Sequence, residues 1–373
     1  MMQPENIMNI KTAYSVKTDL RDVVKDIQTQ LGDFATKLLI FFASSAFAPD
    51  TVASIMEDAF PGADTFGCST AGEIVSGKML TNSVVAMAFN QQAVKSAKVE
   101  VLEELSMDSH QVFDSFERHF NKTMAKMDPK LYVGIILIDG LSGKEEQVMD
   151  RIGDFTNVNF IGGSAGDDLK FAKTYVYAKG KSFSNAAVLT ILEPGVDFSL
   201  VKTQSFCPLP KKLLVTKANE STREIMEFNH KPAAAAYAEA VGTSVADAPN
   251  HFMHNPVGLV FEGEPFVRSP QQIKGNSMLF YCGVKEGIEL NLLESTDIIS
   301  DTKKALEMAR SELGGISGII NFNCILRTLE LRQKGITTEY GELFTDTPTI
   351  GFSTYGEQYI GHMNQTATML VFR

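Results

Sequence analysis

The sequence predicts an α/β protein in two halves, with two packed mixed sheets built from repeated strand–helix–turn–strand units. Three observations predict it. One short grammar occurs three times: Phe66-Gly67-Cys68-Ser69-Thr70-Ala71-Gly72-Glu73, Ile161-Gly162-Gly163-Ser164-Ala165-Gly166-Asp167 and Ile350-Gly351-Phe352-Ser353-Thr354-Tyr355-Gly356-Glu357. Each copy leads to an asparagine that opens an alternating apolar strand, at Asn82, Asn185 and Asn364. Each is also preceded by an apolar run and an amphipathic segment, and a unit of that size cannot bury its apolar strand alone. The length of 373 residues suits two domains. The expected division is a region 1–222, with its boundary somewhere in 195–222, and a region 223–373.

The elements follow in order. Leu20, Val23, Val24, Ile27 and Leu31 fall at helical spacing, with Thr18 or Asp19 placed to cap and Gly32 to stop. Leu38 to Phe42 is a continuous apolar run, as in a strand buried on both faces. Pro49-Asp50 starts a helix that Pro61-Gly62 ends, and the first Gly-x-Ser copy follows as a turn. Val99 to Leu102 reads as a strand and Asp108 to Met127 as a helix. The second unit repeats the first, with a strand over 132–138 and a helix over 144–155. Glu193-Pro194-Gly195 and the Pro208, Pro210 pair read as breaks. A hairpin is expected around Asn219, a helix from Pro232 to the stop at Gly242, and strands at 257–261 and 278–281. A helix over 297–313 leads into the third unit, with strand 318–323 and helix 326–334.

Composition excludes several classes. Hydrophobic residues make up 44% and charged residues 21%, ordinary values for a globular protein. The net charge of −11 opposes phosphate backbones, and Lys211-Lys212 is too short to be a basic stripe, so nucleic acid is not an expected partner. The four cysteines, Cys68, Cys207, Cys282 and Cys324, show no Cys-x-x-Cys spacing; free thiols in a reducing, cytoplasmic setting are expected. Met1 to Lys11 lacks a leader-like apolar core, and the run Leu38 to Ala48 is too short to span a bilayer.

Glycines beside small hydroxyl residues allow positive φ, close approach of a ligand, and backbone nests that take anions. For the copies holding Ser69 and Thr70 the alternative is a tight turn kept for packing. The third copy, with Gly356 and Glu357, adds Tyr355, His362, Asn364, Gln365 and Thr366, more polarity than a packing turn requires. Arg327 follows the strand that ends at Cys324, and strand ends are where α/β ligands sit. Arg327 could hold a ligand carboxylate and Glu357 an amine, or the two could pair internally. Tyr355, Glu357, Asn364 and Arg327 are expected to line one pocket. Gly162-Gly163-Ser164-Ala165-Gly166 matches a hydrolase elbow in letters, but no helix is expected after the serine. Neither this nor any His, Cys or acid spacing supplies a catalytic pair, and the protein is not expected to be an enzyme. Within His251-Phe252-Met253-His254-Asn255-Pro256, His254 or His251 could ligate haem iron among Phe252, Met253 and Val257; the alternative is a loop histidine packed before a strand.

These motifs together resemble the FIST sensory-domain family over nearly the whole chain. The residues that carry the resemblance are Phe41-Phe42-Ala43-Ser44, the three Gly-x-Ser copies, Asn323-Cys324 with Arg327, and Asn364-Gln365-Thr366. The resemblance implies an N-terminal and a C-terminal FIST region, and a signalling input module that binds small ligands such as amino acids. Stand-alone members include haem-binding nitric-oxide sensors that regulate a histidine kinase. No kinase, methyl-accepting or cyclase segment is evident here, so the output would pass to a partner such as a histidine kinase. Where the family places His-Pro before a strand, this chain has His254-Asn255-Pro256.

Overall fold

The computed structural model describes residues 8–105 and 110–373. Most of the leader reading of Met1 to Lys11, and the first two residues of the helix expected from Asp108, lie outside the described residues. The contacts divide the chain into two compact units. The first comprises 1–202, 303–361 and 367–373, and the second 203–302 with 362–366.

The first unit is a threefold repeat. Its first module runs β1 (Ile10–Ser15), α1 (Leu20–Leu31), β2 (Leu38–Ser44), α2 (Pro49–Ala59), β3 (Asp64–Thr70), β4 (Glu73–Val75), β5 (Lys78–Leu80) and β6 (Val84–Phe89). The second runs β7 (Val94–Glu103), α3 (His110–Phe120), β8 (Val133–Ile138), α4 (Glu145–Phe155), β9 (Phe160–Ser164), β10 (Val176–Ala178), β11 (Lys181–Phe183) and β12 (Ala186–Pro194). The third opens with β13 (Phe198–Gln204), and the chain then makes the second unit before returning. That unit holds β14 (Phe206–Asn219), β15 (Glu224–Phe228), β16 (Lys231–Pro232), α5 (Ala233–Val241), β17 (Val257–Phe261), β18 (Glu264–Arg268), β19 (Pro270–Lys274), β20 (Ser277–Phe280) and β21 (Glu289–Ser295). The third module resumes with α6 (Ile298–Leu313), β22 (Gly318–Cys324), α7 (Ile325–Lys334), α8 (Thr337–Glu342), β23 (Thr349–Thr354), β24 (Glu357–Tyr359), β25 (Gly361–Met363) and β26 (Thr366–Phe372).

The three modules build three six-stranded mixed sheets of one design: β1-β6-β2-β3-β10-β11, β7-β12-β8-β9-β24-β25 and β13-β26-β22-β23-β4-β5. In each, two strands joined through a helix run parallel and the returning strand runs antiparallel beside the first. The last places of each sheet are filled by the hairpin of another module. The hairpin of the first joins the third, that of the second joins the first, and that of the third joins the second. The exchange closes a cycle, so no module is complete alone. Their inward faces share one apolar core, where Phe42 meets Phe352 at 4.6 Å between ring centroids and Phe89 meets Phe372 at 5.3 Å.

The expected mixed α/β architecture of repeated units is the one observed. Local chemistry explains its boundaries. The Asp19 carboxylate accepts the N–H of Arg21 at 2.8 Å and caps α1. Pro49 occupies the first turn of α2, and Gly335 ends α7 in the left-handed region. Several readings need correction. The Gly-x-Ser copies are not turns but the closing residues of β3, β9 and β23. Their first glycine answers to a neighbouring strand. A Cβ on Gly67, Gly162 or Gly351 would stand 1.9, 1.7 or 2.1 Å from the carbonyl oxygen of Phe41, Ile136 or Asn321. Those three residues hold one register across the parallel pairs. The break expected at Pro194 is found, since β12 ends there at a register irregularity, but Pro208 and Pro210 break no strand and lie within β14, where the register shifts after Pro208. The helix expected as far as Met127 stops at Phe120, and a short 3-10 turn covers Met124–Lys126.

In the second unit β14 to β21 form an eight-stranded sheet, ordered β18-β17-β21-β14-β15-β20-β19 with β16 beside β15. The alanine-rich α5 packs into its core with Tyr237, Phe228 and Phe252.

Candidate functional site

The carboxyl ends of the three parallel pairs gather the buried polar side chains of the first unit. In the first module these are Ser44, Ser69, Thr70 and Glu73, all almost fully buried. The Glu73 carboxylate accepts the hydroxyl of Thr70, the hydroxyl of Ser83 at 2.6 Å and the Ser83 N–H at 3.1 Å. Burial pushes this carboxyl up to about 7, against the pull of those hydrogen bonds, and nearby Asp168 adds to the rise. Burial, with Glu73 beside it, likewise pushes the Cys68 thiol up, so Cys68 is a small core residue and not a poised nucleophile. Ser69 donates to the Gly166 carbonyl at 2.8 Å and accepts the Tyr175 N–H at 3.0 Å.

In the third module the ends of β22 and β23 carry Asn323, Arg327, Thr328 and Ser353. Arg327 is only 2% exposed and donates from Nε to Asn323 Oδ1 at 3.0 Å. Tyr340 donates to the same oxygen at 3.0 Å. Asn323 donates to Thr328 at 3.0 Å, and the hydroxyls of Thr328 and Ser353 lie 2.8 Å apart. Cys324 is buried, as expected of a small apolar residue.

In the second module Ser164 accepts from Gln358 at 3.1 Å and faces Glu145 at 3.4 Å. The Tyr355 hydroxyl donates to Asp167 Oδ1 at 2.5 Å and accepts the N–H groups of Leu169 at 2.8 Å and Asp167 at 3.2 Å. Burial raises the Asp167 carboxyl, but hydrogen bonds from Tyr355 and from the backbone of Ala172, Lys173 and Phe171 outweigh it and hold the group below its ordinary range. Burial and the adjacent Asp167 push the Tyr355 phenol up, so it stays protonated and able to donate.

Of the residues singled out in the sequence, Ser69, Thr70, Arg327, Tyr355, Gly356 and Glu357 all belong to the first unit. Glu73 and Glu357 are equivalents: they open β4 and β24 opposite Phe352 and Gly163, which are matched positions. Glu73 stood in the repeat beside its counterpart and could have been found from it. Asp167 closed the second Gly-x-Ser copy and Asn323 stood among the residues of the resemblance, whereas Thr328, Tyr340 and Asp168 carried no local spacing signal. Asn364 and Gln365 belong to the second unit. Gln365 donates to the Met253 carbonyl at 2.9 Å and accepts the Ser269 hydroxyl at 2.7 Å. Gln365, at φ 54°, matches Asn82 and Asn185, both at φ 52°, so Asn364 is not the equivalent of those two asparagines.

The residues proposed as haem walls do not make a slot. Phe252 packs edge-on against Tyr237 at 5.4 Å, and Val257 is fully buried in the core of the second unit. His251 engages Asn255 at 3.4 Å, while the His254 carbonyl accepts the Ser295 N–H at 2.9 Å. These residues hold a turn in front of β17, and the set does not fit haem. Among the described residues no group of three or more His, Cys, Asp or Glu could hold a metal ion. No helix there is long and apolar enough to cross a membrane.

The fold and its polar strand ends thus define a cyclic three-module α/β protein with a second unit inserted in its third module. The FIST N domain model matches residues 37–231 and the FIST C domain model matches 233–360. The chain belongs to the FIST family. It is also similar to MJ1623 of Methanocaldococcus jannaschii, an uncharacterized protein, with 22% identity over 317 residues. That match covers 78% of this chain and 60% of the relative's own length.

Proposed function

We propose that this protein is a cytoplasmic small-ligand sensor in signal transduction, and that its ligand is an amino acid or a related carboxylate metabolite. The observation that carries the reading is the placement of Arg327. It stands in the first turn of α7, directly beyond the carboxyl end of β22, in a buried set with Asn323, Thr328 and Ser353. Ligands of α/β sheets collect at such ends, and a guanidinium matches a carboxylate in shape and charge. Membership of the FIST family supports a sensory role. Binding without turnover is favoured because Ser69, Ser164 and Ser353 are engaged by backbone, Gln358 and Thr328. Four free cysteines fit a reducing compartment. The output then passes to a partner signalling protein, such as a histidine kinase.

Thermal unfolding in the presence of single amino acids, and of their deaminated and decarboxylated analogues, tests the reading. One ligand class should stabilise the protein, by about 2.7 kcal/mol at a hundredfold excess over Kd. Arg327→Lys keeps the charge but loses the planar fork, and should weaken that stabilisation in a protein with unchanged far-UV circular dichroism. No stabilisation by any of these compounds, or an undiminished response in Arg327→Lys, defeats the proposal.

A further inference from the structure

The three modules share one backbone design but differ in what covers the outer face of the first parallel strand. Phe41, Ile136 and Asn321 are matched positions, each opposite the first glycine of a Gly-x-Ser copy. Two residues on, on the same face, stand Ala43, Ile138 and Asn323. In the first module Phe41 and Ala43 pack with Val24 and Ile27 of α1 and Ala53 of α2. In the second Ile136 and Ile138 pack with Phe116 of α3 and Ile152 of α4. The third module puts two fully buried asparagines there. Helices α7 and α8 answer them with Arg327, Thr328 and Tyr340, each no more than 2% exposed.

The hydrogen bonds of this layer can be followed to a fixed end. Arg327 can only donate, so the Asn323 atom that receives its Nε at 3.0 Å is Oδ1. The Tyr340 hydroxyl lies 3.0 Å from the same oxygen and commits its one proton there. Toward Asn321 it can therefore only accept, and Asn321 must turn Nδ2 to it, at 3.2 Å. That leaves Asn321 Oδ1 buried with no hydrogen-bond partner. An acceptor buried without a donor opposes folding. The matched Phe41 and Ile136 show that the scaffold takes an apolar side chain at this place, so the fold does not require the amide.

We propose that Asn321 Oδ1 is the acceptor for the amine of the ligand whose carboxylate Arg327 takes, and that it makes the site select amino acids over their 2-oxo acids. This rests on the amino-acid reading above. A 2-oxo acid has the same carboxylate but brings no donor, and Asn321 stays unpaired beside it. A site with a buried polar group rejects the analogue that fails to pair it. Because the acceptor is fully buried, the amine reaches it only through a movement of α8, which carries Tyr340 inward and exposes Thr338 and Glu339 on its other side.

Two measurements on the full chain test this. The first uses no ligand. Asn321→Leu and the smaller Asn321→Val should unfold at urea midpoints at or above that of the wild type, since the acceptor they remove is unpaired. Midpoints clearly below it for both variants would show that Asn321 serves the fold, and would overturn the proposal. The second is thermal unfolding with each common L-amino acid and its 2-oxo acid. The amino acid that stabilises the wild type should bind about tenfold or more tighter than its 2-oxo acid, and in Asn321→Leu that ratio should fall toward one. Equal binding of the two by the wild type, or a ratio unchanged in the variant, overturns the amine assignment and leaves the reading of Arg327 standing. No stabilisation of the wild type by any of these compounds defeats the reading of Arg327, and the amine assignment falls with it.

Discussion

Replacing Glu73 with glutamine should remove a penalty of about 3 kcal/mol that the native protein carries at neutral pH. The carboxyl is buried between Thr70 and Ser83, and burial, aided by Asp168, lifts it from 4.5 to about 7. The folded state therefore holds a proton over a window in which the unfolded chain has released it. More protons bound in the folded state means that stability falls as pH rises through that window, from about 4.5 to about 7, and levels off above it. At 1.36 kcal/mol per pH unit, this amounts to about 3 kcal/mol across the window. Glutamine keeps an acceptor for Ser83, offers an N–H to Thr70 and does not ionise. Urea unfolding of both proteins at about pH 5 and pH 8 gives the test as a difference of differences. The wild type should lose about 2.5 kcal/mol more than the variant over that interval, since the unfolded carboxyl is already largely ionised at the lower pH. His119, held below its ordinary range by burial and Lys98, titrates in both proteins and cancels. An identical loss in the two proteins would show that Glu73 is solvated or ionised throughout, and would refute the burial argument.

Two further predictions concern the scaffold. Gly67→Ala, Gly162→Ala and Gly351→Ala each drive a Cβ into a neighbouring strand's carbonyl, within 2.1 Å or less, and should each cost roughly 3 kcal/mol or more. Gly153→Ala, in α4 with open space around it, should instead stabilise by about 1 kcal/mol, and urea midpoints that fail to separate it from the other three would contradict the register. Asp19→Ala should cost about 1 kcal/mol through the lost cap of α1 while Asp19→Asn costs little, as read by thermal unfolding.

Much of the fold was legible because its signals are local. The α1 periodicity with Asp19 before it, the buried runs of β2 and β8, and the Gly242 stop of α5 each follow from neighbouring residues. The triplication was also legible, since a repeat needs no knowledge of contacts. What could not be read was the partner of each hairpin. Nothing in Glu73-Ile74-Val75 says that it pairs with Phe352, Gly351 and Ile350. The glycines misled for a related reason. A glycine kept for positive φ and one kept because a carbonyl crosses its Cα look the same in sequence, and only the register of β2 on β3 separates Gly67 from Gly72, at φ 125°. The candidate site was legible where it coincided with the repeat, as at Thr70 and Glu357. It was opaque where a side chain from another module completes it, as when Tyr355 reaches Asp167.

The cycle of exchanged hairpins also explains where functional residues can stand. The core-facing positions of the three modules must fill one shared interior, so they are constrained together. The strand ends lie outside that shared interior, and polar side chains from more than one module close them. It is there that the modules diverge. The matched position opening each hairpin is Glu73, Val176 or Glu357, and a buried arginine stands at the strand end of the third module. The second module spends its difference on an eleven-residue loop, and the third on an inserted unit between β13 and α6. A symmetric scaffold that departs from symmetry at its strand ends and in two insertions keeps its stability in the common part. Its recognition chemistry falls in the departures. Arg327, at the strand end of the third module, is therefore a place where substitution should alter binding more than folding.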